Sequence, residues 1–234
     1  RVSIIGLGYI GLPTAVVAAN NGFLVSGYDV DEKKIQKIQS LESPITETGL
    51  QQALCDSINK GTFSASNKLS PADYFIIAVP TPLDKNNLAD LSFVFSATEE
   101  ICKKLSRGNC VLIESTIPAG TTQKVCKILE EKTGLEASKD FYVSYCPERV
   151  LPGKIIQELI SNDRIVGGIC LKSSQIASDF YKKFIHGECH LTNSKTAEMT
   201  KLIENSYRDV QIALANQIHD LCCQAKVNPF ETIA

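Results

Sequence analysis

The sequence predicts an α/β fold: a doubly wound, mainly parallel sheet followed by a long helix. Three observations carry this. Short, continuous apolar runs alternate with amphipathic stretches along most of the chain. The first run opens directly into GLGYIGLP at residues 6–13, a glycine-rich corner between a strand and a helix. After Ser194 the alternation stops, and one apolar stripe continues at spacings of three and four.

The elements follow in order. Residues 2–6 make an apolar strand, and residues 9–21 a helix closed by Gly22. Residues 24–29 make the second strand and 31–39 the second helix. Residues 48–59 read as a helix stopped by Gly61. YFIIAV, residues 74–79, is a buried strand and 91–105 a helix. Strand 110–114, helix 121–132 and strand 141–145 continue the pattern, followed by strand 164–169 and helix 173–184. Strands covered on both faces lose the period-two alternation, as these do. That pattern is βαβ units and a Rossmann-type sheet.

From Ser194 to about residue 225, Ile203, Tyr207, Val210, Leu214, Ile218 and Leu221 form one stripe. Such a helix is too long for a crossover. It is expected to leave the first domain (residues 1–193) and begin a second (residues 194–234) that packs on another surface.

Composition excludes several function classes. The chain has 234 residues, 44% of them apolar, and a formal charge of −2. This suits a large buried core and not the basic footprint of a nucleic-acid binder. No apolar run approaches the roughly 18 residues of a membrane span. The nine cysteines form no CxxC pair and suit a reducing cytoplasm. His186, Cys189 and His190 match no zinc spacing, so no metal is expected.

Ligands of doubly wound sheets sit beyond the carboxyl ends of the strands. There, Gly6 permits a tight turn, Gly8 admits a pyrophosphate, and Gly11 lets helix and strand approach. Pro13 falls in the first helical turn, where its missing donor has no helical partner anyway. Asp29 ends the second strand, 18 residues beyond Gly11, where a carboxylate accepts ribose hydroxyls and repels a 2′-phosphate. Lys34 also reaches that edge. The cofactor is therefore NAD rather than NADP. Two alternatives stand beside it: Asp29 as a mere helix cap, and S-adenosylmethionine on the same glycines. Three further strand ends carry polar groups: Thr81 in VPTP, Ser115 and Thr116 in STIPAGTT, and Glu148 and Arg149 in CPERVLPG. On the long helix, Lys201, Asn205 and Arg208 lie within about 60° of one another, opposite the apolar stripe. From periodicity alone they equally suit a solvated face.

These segments together resemble the UDP-glucose/GDP-mannose dehydrogenases. The match runs through GLGYIGLP, Asp29 with Lys34, VPTP, STIPAGTT and AEMTKLIENSYRD, and so covers essentially the whole chain. CPERVLPG is most similar to the branch that oxidises UDP-N-acetyl-D-mannosamine. The resemblance implies NAD contacts at Tyr9, Ile10, Asp29, Lys34, Thr81, Ser115 and Thr116, with Glu148 beside the nicotinamide. It implies UDP-sugar contacts at Arg149, Val150, Lys201, Asn205 and Arg208. It also implies two oxidations at the 6-hydroxymethyl group, with a thiolate forming a thioester in the second. Lys201 and Asn205 would stabilise the oxyanions, and Thr116 and Glu148 would orient water. A homodimer through the long helix is implied too.

Two departures stand out. Pro152 occupies the place of a second glutamate found in UDP-glucose dehydrogenases. None of the nine cysteines lies in the glycine-rich loop that carries the family's nucleophile. The expectation is an NAD-binding fragment, inactive alone, whose parent enzyme carries that cysteine and a UDP-binding domain beyond Ala234. Alternative parents are a UDP-glucose or UDP-N-acetylglucosamine 6-dehydrogenase, a 3-hydroxyacid or 6-phosphogluconate-type dehydrogenase, or a non-catalytic NAD-binding module.

Overall fold

Among the described residues, 1–233, the computed structural model joins eight strands into one sheet. They are β1 Val2–Ile5, β2 Val25–Tyr28, β3 Phe63–Ser66, β4 Tyr74–Ile77, β5 Cys110–Ile113, β6 Tyr142–Tyr145, β7 Arg164–Gly168 and β8 Cys189–Asn193. Their order across the sheet is β3-β2-β1-β4-β5-β6-β7-β8. Every neighbouring pair is parallel except β6 with β7. The order reverses between β1 and β4. Crossovers there leave to opposite faces and open a crevice beyond the strand ends.

The helices are α1 Gly11–Asn20, α2 Glu32–Gln39, α3 Leu50–Asn59, α4 Ser92–Cys102, α5 Thr121–Thr133, α6 Ile155–Ser161, α7 Leu171–Tyr181, α8 Ser194–Ala225 and α9 Pro229–Ile233. Helices α1 to α7 cover both faces of the sheet. Along β4, Ile76 enters one core with α1 and α7, while Phe75 and Ile77 enter the other with α4 and α5. β5 divides likewise, Leu112 to one side and Val111 and Ile113 to the other. Burial on both faces is why these strands read as unbroken apolar runs.

The sequence reading missed four elements. β3 is FSAS, an edge strand with only Phe63 and Ala65 buried, and serine carries little strand signal. β8 is CHLTN, also at an edge and largely exposed. α6 and α9 have seven and five residues, too short to show helical periodicity. The helix expected at 173–184 starts earlier, at Leu171, because the Cys170 thiol accepts from Ser173 N and caps it.

The chain forms two units, Arg1–Glu198 and a second that begins at Met199 within α8. In the second, the expected stripe is exposed at Ile203, Tyr207, Val210, Leu214 and Leu221.

Candidate functional site

A cleft of about 480 Å³ opens at the switch point, beyond the carboxyl ends of β1, β2, β4 and β5. This is within the usual size of a small-ligand site. Its floor is the glycine corner. Gly6 follows β1 with φ +93°, and a Cβ there would lie 2.5 Å from Ala78 O. A Cβ on Gly11 would collide with the Gly6 carbonyl oxygen. Both positions demand glycine for reasons internal to the fold. Gly8 differs: nothing lies within 4 Å of its missing Cβ, so the space over it is open to a ligand.

α1 starts at this corner with no side-chain cap and no acid in its first turn. An uncapped, uncompensated N-terminus favours an anion. Thr14 N bonds Ile10 O and Leu12 N bonds Gly8 O, so the ladder closes around Pro13, whose missing donor costs little.

Asp29 lies just past β2 and is buried. Its Oδ2 accepts from Leu7 N at 2.8 Å and Lys34 Nζ at 2.6 Å, and its Oδ1 from Asp31 N at 2.9 Å. Burial pushes its pKa up, but the bonds from Lys34, Asp31 and Leu7 more than offset this and hold the carboxyl below its ordinary value. The helix-capping role belongs to Asp31, whose side chain accepts from Lys33 N and Lys34 N. Asp29 is thus a charged carboxylate at the cleft wall and not the cap of α2.

The opposite wall comes from the ends of β4 and β5. The Thr81 hydroxyl donates to Thr116 O at 2.8 Å, and the Ser115 hydroxyl to Val79 O at 2.7 Å. These bonds lock VPTP and STIPAG to each other. Beneath them Glu114 is buried, accepting from Arg164 Nη1 at 2.7 Å, Tyr181 Oη at 2.7 Å and Thr14 Oγ1 at 3.1 Å. Glu148, past β6, reaches the cleft and accepts from Val150 N at 3.0 Å.

The cleft therefore brings together Gly6, Gly8, Tyr9, Ile10, Asp29, Lys34, Thr81, Ser115, Thr116 and Glu148. Gly11 stands behind it, as packing requires. Arg149 and Val150 follow Glu148 in the next turn of chain and do not line the cleft. Lys201, Asn205 and Arg208 lie on successive turns of α8 in the second unit. Among the described residues no group of three metal-ligating side chains converges. Val30, Phe93 and Ser96 also line the cleft and escaped the sequence reading. The same is true of Glu114, the polar last residue of the strand expected at 110–114, whose partners Arg164 and Tyr181 lie 50 and 67 residues away.

The residues fit a dinucleotide: open space over Gly8, a free helix start and an ionised carboxylate at the second strand. Fold and site together define an NAD-binding domain of the dehydrogenase class. The family follows from comparison with known proteins. The UDP-glucose/GDP-mannose dehydrogenase family, NAD binding domain, matches residues 1–185, and that family's central domain matches residues 195–234. The chain belongs to the UDP-glucose/GDP-mannose dehydrogenase family. It is 46% identical to a UDP-N-acetyl-D-mannosamine dehydrogenase of Methanococcus vannielii, covering 100% of this chain and 54% of that protein. It is 43% identical to one of Campylobacter jejuni, covering 100% and 59%. The solved UDP-D-ManNAc dehydrogenase of Pyrococcus horikoshii superposes with a TM-score of 0.95 at 44% identity, over 100% of this chain and 56% of that one. The chain spans about half the length of these relatives.

Proposed function

We propose that residues 1–193 are the NAD-binding domain, and 194–234 the start of the central domain, of a nucleotide-sugar 6-dehydrogenase. Its substrate class is a UDP-N-acetylhexosamine, with UDP-N-acetyl-D-mannosamine favoured by the names of the relatives. The observation that carries the reading is that Asp29 and Glu148 line one cleft, a cofactor acid and a second carboxylate on walls set by β2 and β6.

NAD, when bound, supplies the hydride acceptor. The chain's own residues do the rest. Asp29 and Lys34 hold the ribose, and the start of α1 holds the pyrophosphate. Glu148 and Thr116 orient water and hold a proton at the reacting end. Lys201 and Asn205 donate to the developing oxyanion, and Arg149, Val150 and Arg208 contact the UDP-sugar. The full reaction is two oxidations, alcohol to aldehyde and aldehyde to acid, the second through a thiolate. Among the described residues no cysteine lines the cleft, and burial pushes the Cys146 thiol well above its ordinary value. The thiolate is therefore assigned to none of them.

The exposed stripe of α8 is the face on which a second copy pairs. Nine unpaired cysteines suit a reducing cytoplasm, and no helix among the described residues is long and apolar enough to cross a membrane.

The test is calorimetric titration with NAD, then NADH absorbance with UDP-N-acetylmannosamine. NAD binding without turnover is expected of this chain. Sustained four-electron oxidation would refute the fragment reading, and absence of NAD binding would refute the whole of it.

A further inference from the structure

Glu47 has no part in the cofactor or substrate residues assigned above, yet it touches both regions. It precedes α3 and its side chain is buried. Oε1 accepts from Ile155 N at 3.0 Å. Oε2 accepts from Gly153 N at 3.0 Å and from the Tyr9 hydroxyl at 3.3 Å. Gly153 and Ile155 follow the loop that carries Glu148, Arg149 and Val150. Tyr9 belongs to the glycine corner, lines the cleft and is 42% exposed. One carboxylate thus joins two segments that are far apart in sequence.

Two further bonds of this loop run to α6. Leu151 N donates to Glu158 at 2.7 Å, and Asn162 Nδ2 donates to Arg149 O at 2.6 Å. These tie the loop to α6 and its end. Glu47 ties it to the dinucleotide corner. These partners are all donors, and Thr48 N adds a further backbone bond to the same carboxylate, a set that an ionised carboxylate satisfies and an amide does not. The backbone bonds from Gly153 and Ile155 aim the carboxylate, and the aimed carboxylate holds the Tyr9 ring at the cleft.

We propose that Glu47 is a positioning residue that couples dinucleotide binding to the loop bearing Glu148, Arg149 and Val150. A dinucleotide settling against residues 8–10 favours the Tyr9 position that Glu47 supports, and the bonds from Gly153 and Ile155 help aim the carboxylate that supports it. Binding at the corner therefore favours the docked loop, and by linkage the docked loop favours binding. This rests on the reading of the cleft as an NAD site.

The chain contains no tryptophan, so Leu151→Trp, at an exposed position in the loop, gives a fluorescent reporter without background. NAD binding is measured by calorimetry in every variant, and emission and acrylamide quenching are read at saturating NAD. The expected result is an NAD-dependent emission shift with quenching reduced about twofold or more. Glu47→Gln should remove most of that response. Tyr9→Phe, which cuts only the hydroxyl link and leaves the buried carboxylate in place, should remove a similar share, and the double variant no more than either alone. A full response in both single variants, or silence in the reporter protein while calorimetry shows NAD bound, overturns the coupling. No NAD binding by the reporter protein or by the unaltered chain overturns the site reading beneath it.

Discussion

Lys34 Nζ lies 2.6 Å from Asp29 Oδ2, the same oxygen that accepts Leu7 N at 2.8 Å. A carboxylate has about four acceptor positions. Asp29 uses two on Oδ2 and one on Oδ1, where Asp31 N donates. One position on Oδ1 remains for a ribose hydroxyl, and the Lys34 ammonium stands beside it for the other. The pair explains how a buried acid stays charged and still has capacity for a ligand.

Asp29→Asn should weaken NAD binding roughly 10- to 100-fold, the loss of one hydrogen bond to a charged acceptor. It should also narrow the preference against NADP, because the charge that repels a 2′-phosphate is gone. Isothermal titration with both nucleotides checks this, and unchanged affinity for both would take Asp29 away from the ribose.

The glycines divide into two kinds. Gly11→Ala should prevent folding or cripple it, since the new Cβ meets the Gly6 carbonyl. Gly8→Ala has open space around it and should leave the melting temperature nearly unchanged while weakening NAD binding by tenfold or more. Thermal melts beside titrations separate fold from site. Equal stability losses in the two variants would contradict the division.

Glu114→Gln should cost about 3–5 kcal/mol, because it leaves the buried Arg164 guanidinium without its counter-charge. Glu114 also holds Thr14 of α1 and Tyr181 of α7, so NAD affinity should fall along with stability. Urea unfolding measures the first and titration the second. The double variant with Arg164→Met should lose less than the sum of the singles.

Acid should destabilise the fold through Asp29 and Glu47. In both, burial raises the carboxyl pKa and hydrogen bonds more than offset it: from Lys34, Asp31 and Leu7 for Asp29, and from Gly153, Ile155 and Tyr9 for Glu47. A folded pKa below the unfolded one stabilises above the unfolded value and is lost as pH falls through the folded one. Stability should be flat near neutrality and drop below about pH 4. Glu47→Gln should make that drop shallower in scanning calorimetry.

The α8 stripe should drive self-association, since a long row of exposed apolar side chains is poorly tolerated by a monomer. Sedimentation should show a concentration-dependent dimer that Val210→Asp disrupts. A monomer at high concentration would remove the stripe from that role.

The sequence by itself determined the α/β class, the cofactor corner and the long helix. Each is written in local spacing: an apolar run, three glycines at fixed offsets, an acid 18 residues on, a stripe at three and four. Local steric and burial rules act over such distances, so they are legible without a partner. The tertiary structure alone decided the rest. β3 exists because an edge needs only half a buried strand, β8 is held by its pairing with β7, and the reversal of β7 against β6 has no signature in either segment. Glu114 finds Arg164 across 50 residues, and Glu47 finds Gly153 across 106. A carboxylate carries no mark of which donors will face it. That depends on which chain segments the packed sheet brings side by side.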